Sequence, residues 1–397
     1  MKITAVRLLR LRGTMPTEGP FWEERLVRPI DIYPDYRARD DFEGGIQRDP
    51  SQFTLEQHFL RIETDEGPIG IAGPLPDMVA LYVARRLRPL LLGRDPIAHE
   101  ALWDQMHRFM VHGRQGDAML AISAVDCALW DLKGRWLNVP VYRLLGGPTR
   151  DAVPCYASML GFAVRDLGRV RARAQEYKAR GYTAQKWFFR FGPGSGAEGL
   201  AQNVALVRTL REALGDEYDI MLDCWQAFDP LYATELAERI EEYRPRWLEE
   251  CVMPDRIDSH ARVKAATRIP LSGAEHEYTR WGFKRFVEAE ALDVLQPDIY
   301  WAGGLSETLK IAAYASVHDL VVIPHGHSTP AGLHFSLAQS PSLTPYQEFL
   351  VKWNAINQHF LAHPLVPTDG ALGLPVEPGL GMDLDPAKIE DQVEIES

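Results

Sequence analysis

The sequence predicts an α/β protein in which an N-terminal α+β unit precedes a parallel β/α barrel. Three observations lead to this prediction: a length of 397 residues, a series of short strand–helix repeats after residue 150, and three carboxylates at equal intervals. Asp223, Glu249 and Glu275 each end a strand-like segment, and both intervals between them are 26 residues. One unit of a barrel uses about that length, since roughly 250 residues supply eight units.

Residues 1–150 are expected to form the α+β unit. Two of its strand-like segments flank Asp65-Glu66-Gly67, which marks a hairpin. A polar, proline-containing stretch from 13 to 51 separates them from the first strand, and a loop of that length is typical of a functional lid or a disordered segment. The predicted strands are 3–12, 57–64 and 68–73, and the predicted helices are 79–91, 96–107 and 117–137.

Residues 151–360 alternate short strands with amphipathic helices, which favours a closed barrel. An open, doubly wound sheet would give the same local pattern, so that alternative stays open at this point. The turn-rich segment 361–397 is expected to leave the barrel and return to the N-terminal unit. The predicted strands are 153–158, 184–188, 220–223, 247–249, 271–275, 294–298, 321–325 and 345–349.

The last polar residue of seven consecutive predicted strands is ionisable. Barrel enzymes keep their chemistry at the face where the strands end, so this series predicts an active site there. A single acid at a strand end would be typical of a solvated loop, but seven in register are not. The residues are Lys186, Asp223, Glu249, Glu275, Asp298, His325 and Glu348.

The three equally spaced acids predict a divalent metal. Asp223, Glu249 and Glu275 cannot all stay ionised at one mouth without a cation, and they offer the oxygen ligands that Mg²⁺ prefers. Zinc is disfavoured because no histidine or cysteine completes a tetrahedral site with them. His325 and Asp298 end adjacent strands, where a carboxylate could fix the imidazole tautomer and leave the other nitrogen as a base.

Composition limits the partners. A net charge of −12 argues against nucleic acid, which needs a clustered basic surface. The four cysteines form no CxxC pair and are expected to be buried, reduced thiols. The N-terminus lacks the pattern of a signal peptide, and no apolar run is long enough to cross a membrane. We therefore expect a cytoplasmic protein that acts on a small molecule.

Several motifs resemble the enolase superfamily, in its mandelate-racemase-like subgroup, and within that the L-rhamnonate dehydratase-like enzymes. The similarity covers nearly the whole chain, because it also includes the segment from Ala128 to Gly134 and the closing Pro378-Gly379-Leu380-Gly381. The barrel motifs are Leu222-Asp223-Cys224-Trp225, Trp247-Leu248-Glu249-Glu250-Cys251, Ser272-Gly273-Ala274-Glu275-His276, Leu295-Gln296-Pro297-Asp298, Gly303-Gly304-Leu305-Ser306-Glu307 and Pro324-His325-Gly326.

This resemblance implies a capping α+β domain over a modified (β/α)₇β barrel and a homo-oligomer, with an octamer suspected. It implies that Asp223, Glu249 and Glu275 hold Mg²⁺. The chemistry that it implies is removal of a proton from the carbon next to a carboxylate, with a Lys or His base and an ene-diolate stabilised by the metal.

One departure from the family pattern favours dehydration. Racemizing members carry two lysines, separated by one residue, at the end of the second barrel strand. In this chain Lys186 occupies the first of these positions, but Phe188 occupies the second. A phenyl ring cannot exchange protons, so one-base dehydration of a sugar acid to a 2-keto-3-deoxy acid is the prediction. His325 would be the base, Lys186 an electrostatic partner of the substrate carboxylate, and Glu348 a hydrogen-bonding partner of the ene-diolate.

The resemblance is weaker for the substrate contacts. His276 matches a substrate-contacting histidine, and Arg39 or its close competitor Arg37 matches an arginine of the cap loop, although solvated loop charges would look the same. The cap loop lacks the early histidine of rhamnonate dehydratases, so L-rhamnonate is an analogy only. A racemase, epimerase or cycloisomerase of the same superfamily, or a non-catalytic barrel, are the alternatives.

Overall fold

The structure is a computed structural model that describes residues 1–40, 47 and 49–395. The N-terminal unit begins with three antiparallel strands, and its long helix α5 lies across them. Its strands are β1 (Ile3–Pro16), β2 (Gln52–Thr64) and β3 (Ile69–Leu75). Its helices are α1 (Pro34–Arg37), α2 (Asp77–Tyr82), α3 (Arg88–Leu91), α4 (His99–Phe109), α5 (Asp117–Leu137) and α6 (Val141–Leu144).

Helix α5 forms the centre of this unit because it is apolar on almost every side. It packs on β3 so closely that a Cβ on Gly70 would lie 2.0 Å from the carbonyl oxygen of Ala128. It ends at Asn138, whose φ of 54° is the left-handed conformation typical of helix C-termini. A helix that is apolar on almost every side is expected to be buried in a core.

The barrel has eight parallel strands that alternate with helices. The strands are β4 (Ala152–Ser158), β5 (Ala184–Phe188), β6 (Asp219–Asp223), β7 (Trp247–Glu249), β8 (Leu271–Gly273), β9 (Val294–Leu295), β10 (Val321–Val322) and β11 (Gln347–Leu350). The helices are α7 (Leu167–Ala179), α8 (Gly196–Leu214), α9 (Pro230–Ile240), α10 (Ile257–Ala266), α11 (Thr279–Glu288), α12 (Gly304–Ser316), α13 (Thr329–Ala338) and α14 (Val351–Asn357). The eight strands pair in the order β10-β9-β8-β7-β6-β5-β4-β11.

The sheet curls until its two end strands meet at the mouth. The backbone N–H of Gly326, after β10, donates a 2.8 Å hydrogen bond to Glu348 Oε2 on β11. Side chains from strands all around the sheet pack into one apolar interior cluster: Tyr156, Ala184, Met221, Trp247, Val294 and Ile323. The predicted α/β barrel with an α+β cap is confirmed.

The C-terminal segment contributes one strand to the barrel and one strand to the cap. Its strand β12 (Ala371–Gly373) pairs antiparallel with β4 of the barrel, and β13 (Asp391–Glu394) then pairs with β1 of the cap. The segment first adds a strand to the barrel sheet, which the sequence did not indicate, and its last strand then lies in the cap sheet. Among the described residues no helix has the length and apolar character needed to cross a membrane.

Part of the predicted long loop lies across the barrel mouth. Glu24 Oε2 accepts hydrogen bonds from the backbone N–H groups of Val164 and Arg165, at 2.7 and 3.1 Å. Leu26 packs on Phe188 and Leu350 at the ends of two barrel strands. Residues 24–26 therefore lie at the mouth, whereas 41–46 and 48 of the predicted loop lie outside the described residues.

Candidate active site

Strand β5 shows how the sheet brings polar groups to the mouth. Successive side chains of a strand point to opposite faces, so Ala184, Lys186 and Phe188 share the inner face. Ala184 belongs to the apolar floor of the barrel, while Trp187 packs outward into the main core. Lys186 thus lies one layer above the floor, and Phe188 lies one layer higher again.

Lys186 is the charged centre of this layer. Its Nζ lies 3.2 Å from Asp223 Oδ2 and 2.8 Å from Glu348 Oε1, and it also pairs closely with Glu249. Burial opposes the ammonium charge, but the three carboxylates hold the pKa of Lys186 well above its usual value. Lys186 therefore stays protonated and acts as a fixed positive charge.

His325 and Asp298 form the hydrogen bond that their strand positions suggest. His325 Nδ1 lies 2.7 Å from Asp298 Oδ2, and the backbone N–H of Tyr300 donates to the other carboxylate oxygen at 2.8 Å. The opposite nitrogen, Nε2, lies 3.5 Å from Glu275 Oε2. Burial opposes protonation, but Glu275 and Asp298 raise the pKa of His325 to about 10.

His276 makes a second carboxylate–imidazole pair. Its Nδ1 lies 2.9 Å from Glu250 Oε2, 3.5 Å from Glu275 Oε1 and 2.8 Å from Gln226 Nε2. Burial opposes its charge, yet Glu250 raises the pKa of His276 to about 9. His276 is therefore a cation at the mouth, which is suited to an anionic or hydroxyl-bearing ligand.

The predicted metal ligands lie on three neighbouring strand ends, and all are buried. Asp223 and Glu249 turn towards Lys186, so the three carboxylates do not meet at one point. Among the residues that the structure describes, the group with ligand atoms within 4.8 Å of one another is Glu250, Glu275 and His276. We regard His276 as an ion-pair partner rather than a ligand, because its Nδ1 already contacts Glu250.

The electrostatics of the predicted trio fit a hard cation. Burial raises the pKa of Asp223 to about 6, of Glu275 to about 7 and of Glu249 to about 8, since their charges are incompletely balanced. Within the described mouth, six buried carboxylates stand against three basic side chains: Asp223, Glu249, Glu250, Glu275, Asp298 and Glu348 against Lys186, His276 and His325. Such an excess of negative charge in oxygen ligands is what a divalent cation relieves.

The two cap-loop arginines occupy different places. The Arg37 side chain lies against Gly194 and lines a cavity of about 140 Å³ that also reaches Gln226, the neighbour of His276. Arg39 is exposed, with its guanidinium 4.9 Å from the centre of the Tyr36 ring. Of the two, Arg37 lies on the side that faces the site.

Several residues that support the site were missed from the sequence. Trp247 Nε1 and Gln296 Nε2 both donate to Glu249 Oε2, at 3.0 and 2.8 Å, and so orient it. Glu250, which holds His276, directly follows Glu249, and the sequence alone does not distinguish the roles of two adjacent acids. Its φ of 44° turns the backbone at the strand end, and such strained conformations are common at functional sites.

Three predicted strands are shorter than expected. Glu275, Asp298 and His325 lie two or three residues beyond the ends of β8, β9 and β10. Ala274 has a φ of 73°, and the prolines before Asp298 and His325 cannot donate a ladder hydrogen bond. The functional side chains therefore stand on the first turn after each strand.

Comparison with known proteins gives a consistent result over the whole chain. Residues 52–146 match the mandelate racemase / muconate lactonizing enzyme N-terminal domain, and residues 169–388 match the enolase C-terminal domain-like family. An L-rhamnonate dehydratase from Saccharopolyspora erythraea is 34% identical over 404 residues, which cover 97% of each chain.

Solved structures agree. L-rhamnonate dehydratase from Gibberella zeae superposes with a TM-score of 0.83 at 32% identity, over 98% of this chain and 94% of that one. The complex of that enzyme with Mg superposes with a TM-score of 0.81 at 31% identity, over 98% of this chain and 95% of that one. The 3,6-anhydro-D-galactonate cycloisomerase from Zobellia galactanivorans has a TM-score of 0.78 at 31% identity, over 98% of this chain and 99% of that one. The chain belongs to the mandelate racemase/muconate lactonizing enzyme family of the enolase superfamily.

Proposed function

We propose that this protein is a Mg²⁺-dependent dehydratase that converts a sugar acid, an L-rhamnonate-like aldonate, into a 2-keto-3-deoxy acid. The observation on which this proposal depends is the His325–Asp298 pair at the mouth, with Phe188 on the inner face of β5. The names of the full-length relatives support the same reaction class.

His325 is the base in this scheme. Asp298 holds Nδ1, so Nε2 is the nitrogen that takes the proton from C2 of the substrate. The same imidazolium then gives that proton to the departing C3 hydroxyl, which leaves as water. The remaining enol rearranges to the 2-keto acid, so the proton count balances and no second base is needed.

The high pKa of His325 depends on its neighbours. Glu275 is the strongest of the groups that favour its protonation. If a cation held by Glu275 offset the negative charge of that carboxylate, the pKa of His325 would fall and Nε2 would be free to act as a base. The cation site and the base are thus linked through one carboxylate.

Asp223, Glu249 and Glu275 are the residues that would hold Mg²⁺. When bound, the ion supplies Lewis-acid stabilisation of the negative charge that develops at the substrate carboxylate. Lys186 adds a permanent positive charge beside that carboxylate, and Glu348 Oε1, 2.8 Å from Lys186 Nζ, orients the ammonium. His276 and Arg37 line the approach from the cap side, with Arg39 further out.

Phe188 argues against the alternative reactions. Two-base racemisation or epimerisation needs a proton-exchanging group on the second face of the substrate. Phe188 packs with Leu26 and Leu350, and its phenyl ring cannot exchange a proton. A cycloisomerase shares the fold at similar identity, so lactone or cyclic products remain part of the test.

The experiment is incubation of a panel of aldonates and aldarates with enzyme and Mg²⁺, with 2-keto products trapped by semicarbazide. We expect a product from at least one aldonate, loss of activity with EDTA, and recovery on adding Mg²⁺. His325→Asn should abolish turnover while calorimetry still shows Mg²⁺ binding, and His318→Asn, an exposed histidine on the outside of the barrel, is the matched control. Deuterium exchange at C2 without water loss, or no product from any acid, would contradict the proposal.

A further inference from the structure

Trp301 lies among three histidines at the barrel mouth. Its ring centroid lies 5.0 Å from that of His325, 5.2 Å from that of His276 and 5.5 Å from that of His327. The proposed chemistry uses His325 and His276. It leaves His327 without a role, although the same indole holds it beside the base.

The hydrogen bonding of His327 is incomplete. Its Nδ1 is buried without a hydrogen-bond partner among the described side chains and backbone. The residue as a whole is only partly buried. Nε2 is not among the buried unpaired atoms and also makes no hydrogen bond to the described part of the chain. Nε2 is therefore the accessible polar atom of this ring.

The backbone around His327 is held in place. Its carbonyl oxygen accepts a 3.1 Å hydrogen bond from Asn357 Nδ2. The preceding Gly326 is fixed by Glu348, and Thr329 Oγ1 donates to Asn354 Oδ1 at 2.6 Å. With its backbone anchored on both sides and its ring against Trp301, the imidazole is preorganised for a ligand.

The charge state of His327 differs from that of its neighbours. Burial lowers its pKa, Asp298 opposes this and nearby His325 supports it; the net shift is downward, so the ring is neutral at neutral pH. His276 and His325 both have raised pKa values. A neutral imidazole discriminates hydroxyl groups by hydrogen bonding, whereas a cation would also attract any anion.

We propose that His327 is a specificity-determining residue whose Nε2 hydrogen bonds to a hydroxyl of the sugar-acid chain beyond the reacting C2 and C3 atoms. The proposal rests on the proposed function and names the part of the substrate that His327 would recognise. Its consequence is that the enzyme selects acids with a hydroxyl at C4 or C5 in the right configuration.

The test compares wild type, His327→Phe and His327→Asn on a six-carbon aldonate and its shorter homologues. His327→Phe should lower kcat/KM by about tenfold to a hundredfold on the full-length acid, as is usual when a binding site loses a hydrogen-bonding group. The loss should disappear on the homologue that lacks the contacted hydroxyl. His327→Asn, which keeps a donor, should recover part of the activity.

Controls separate this role from a structural one and from failure of the proposed function. His318→Phe, whose ring lies on the outside of the barrel against Tyr314, should leave kcat/KM unchanged. An equal loss on every substrate, or no loss, overturns the role of His327. Should wild type turn over no aldonate, calorimetry of aldonate binding to His325→Asn with and without His327→Phe decides the question: equal or absent binding overturns the proposal, and weaker binding of the double variant supports it.

Discussion

Asp126 gives the sharpest prediction of pH-dependent stability. It is fully buried on α5, where Oδ2 accepts from the backbone N–H of Ser306 at 2.9 Å and Oδ1 lies 2.6 Å from Ser306 Oγ on α12. Burial raises its pKa from 3.8 to about 7, although both hydrogen bonds oppose the shift. This carboxyl joins the cap to the barrel, and because it is fully buried its ionisation destabilises the folded state.

The sign follows from proton binding. The folded state keeps the proton that the unfolded state loses near pH 3.8, so this group favours folding least at high pH. Each pKa unit is worth about 1.4 kcal/mol, which gives a cost approaching about 4 kcal/mol above pH 7. Between about pH 5 and about pH 8 the free energy of unfolding should fall by about 2.5 kcal/mol from Asp126 alone.

Asp126→Asn should remove this part of the pH dependence. The amide copies the protonated acid: its oxygen accepts from the Ser306 N–H and its nitrogen donates to Ser306 Oγ. For 397 residues, 1 kcal/mol corresponds to about 1.2 °C in Tm, so the Tm difference between variant and wild type should grow by about 3 °C from about pH 5 to about pH 8. Scanning calorimetry across this range measures it. A difference that is independent of pH would refute the reasoning.

Three further predictions concern the site, the packing and the assembly. Phe188→Lys places an amine among Leu26 and Leu350, where burial lowers its pKa, so we expect deuterium exchange at C2 in D₂O that wild type lacks; unchanged exchange would show that this face does not reach C2. Gly70→Ala should cost about 3 kcal/mol by overpacking against α5, while Gly373→Ala, with nothing within 4 Å, should be neutral; equal thermal denaturation of the two variants would contradict this. Light scattering should show a homo-oligomer, with an octamer as the suspected form, and a 44.9 kDa monomer would disprove it.

Much of the fold follows from local sequence pattern. Helix α5 and the strands β5 and β7 begin and end where their apolar patterns do, because periodicity and turn residues act over short distances. The strands predicted to end at Glu275 and His325 end two or three residues earlier. Hydrogen bonding between the strands stops there because of a left-handed residue or a proline. A pattern of residue types does not show where hydrogen bonding between strands ceases.

The candidate site also has a part that the sequence predicts and a part that depends on the tertiary structure. The order of the chain brings Asp223, Glu249 and Glu275 to one face, since each unit of a parallel barrel returns to the same edge. The partners of Glu249, the pairing of Glu250 with His276 and the place of His327 beside Trp301 were decided only by the tertiary structure. They join strands and turns that are distant in the chain, and side-chain direction and burial, which set the charges of these groups, exist only once the barrel has closed.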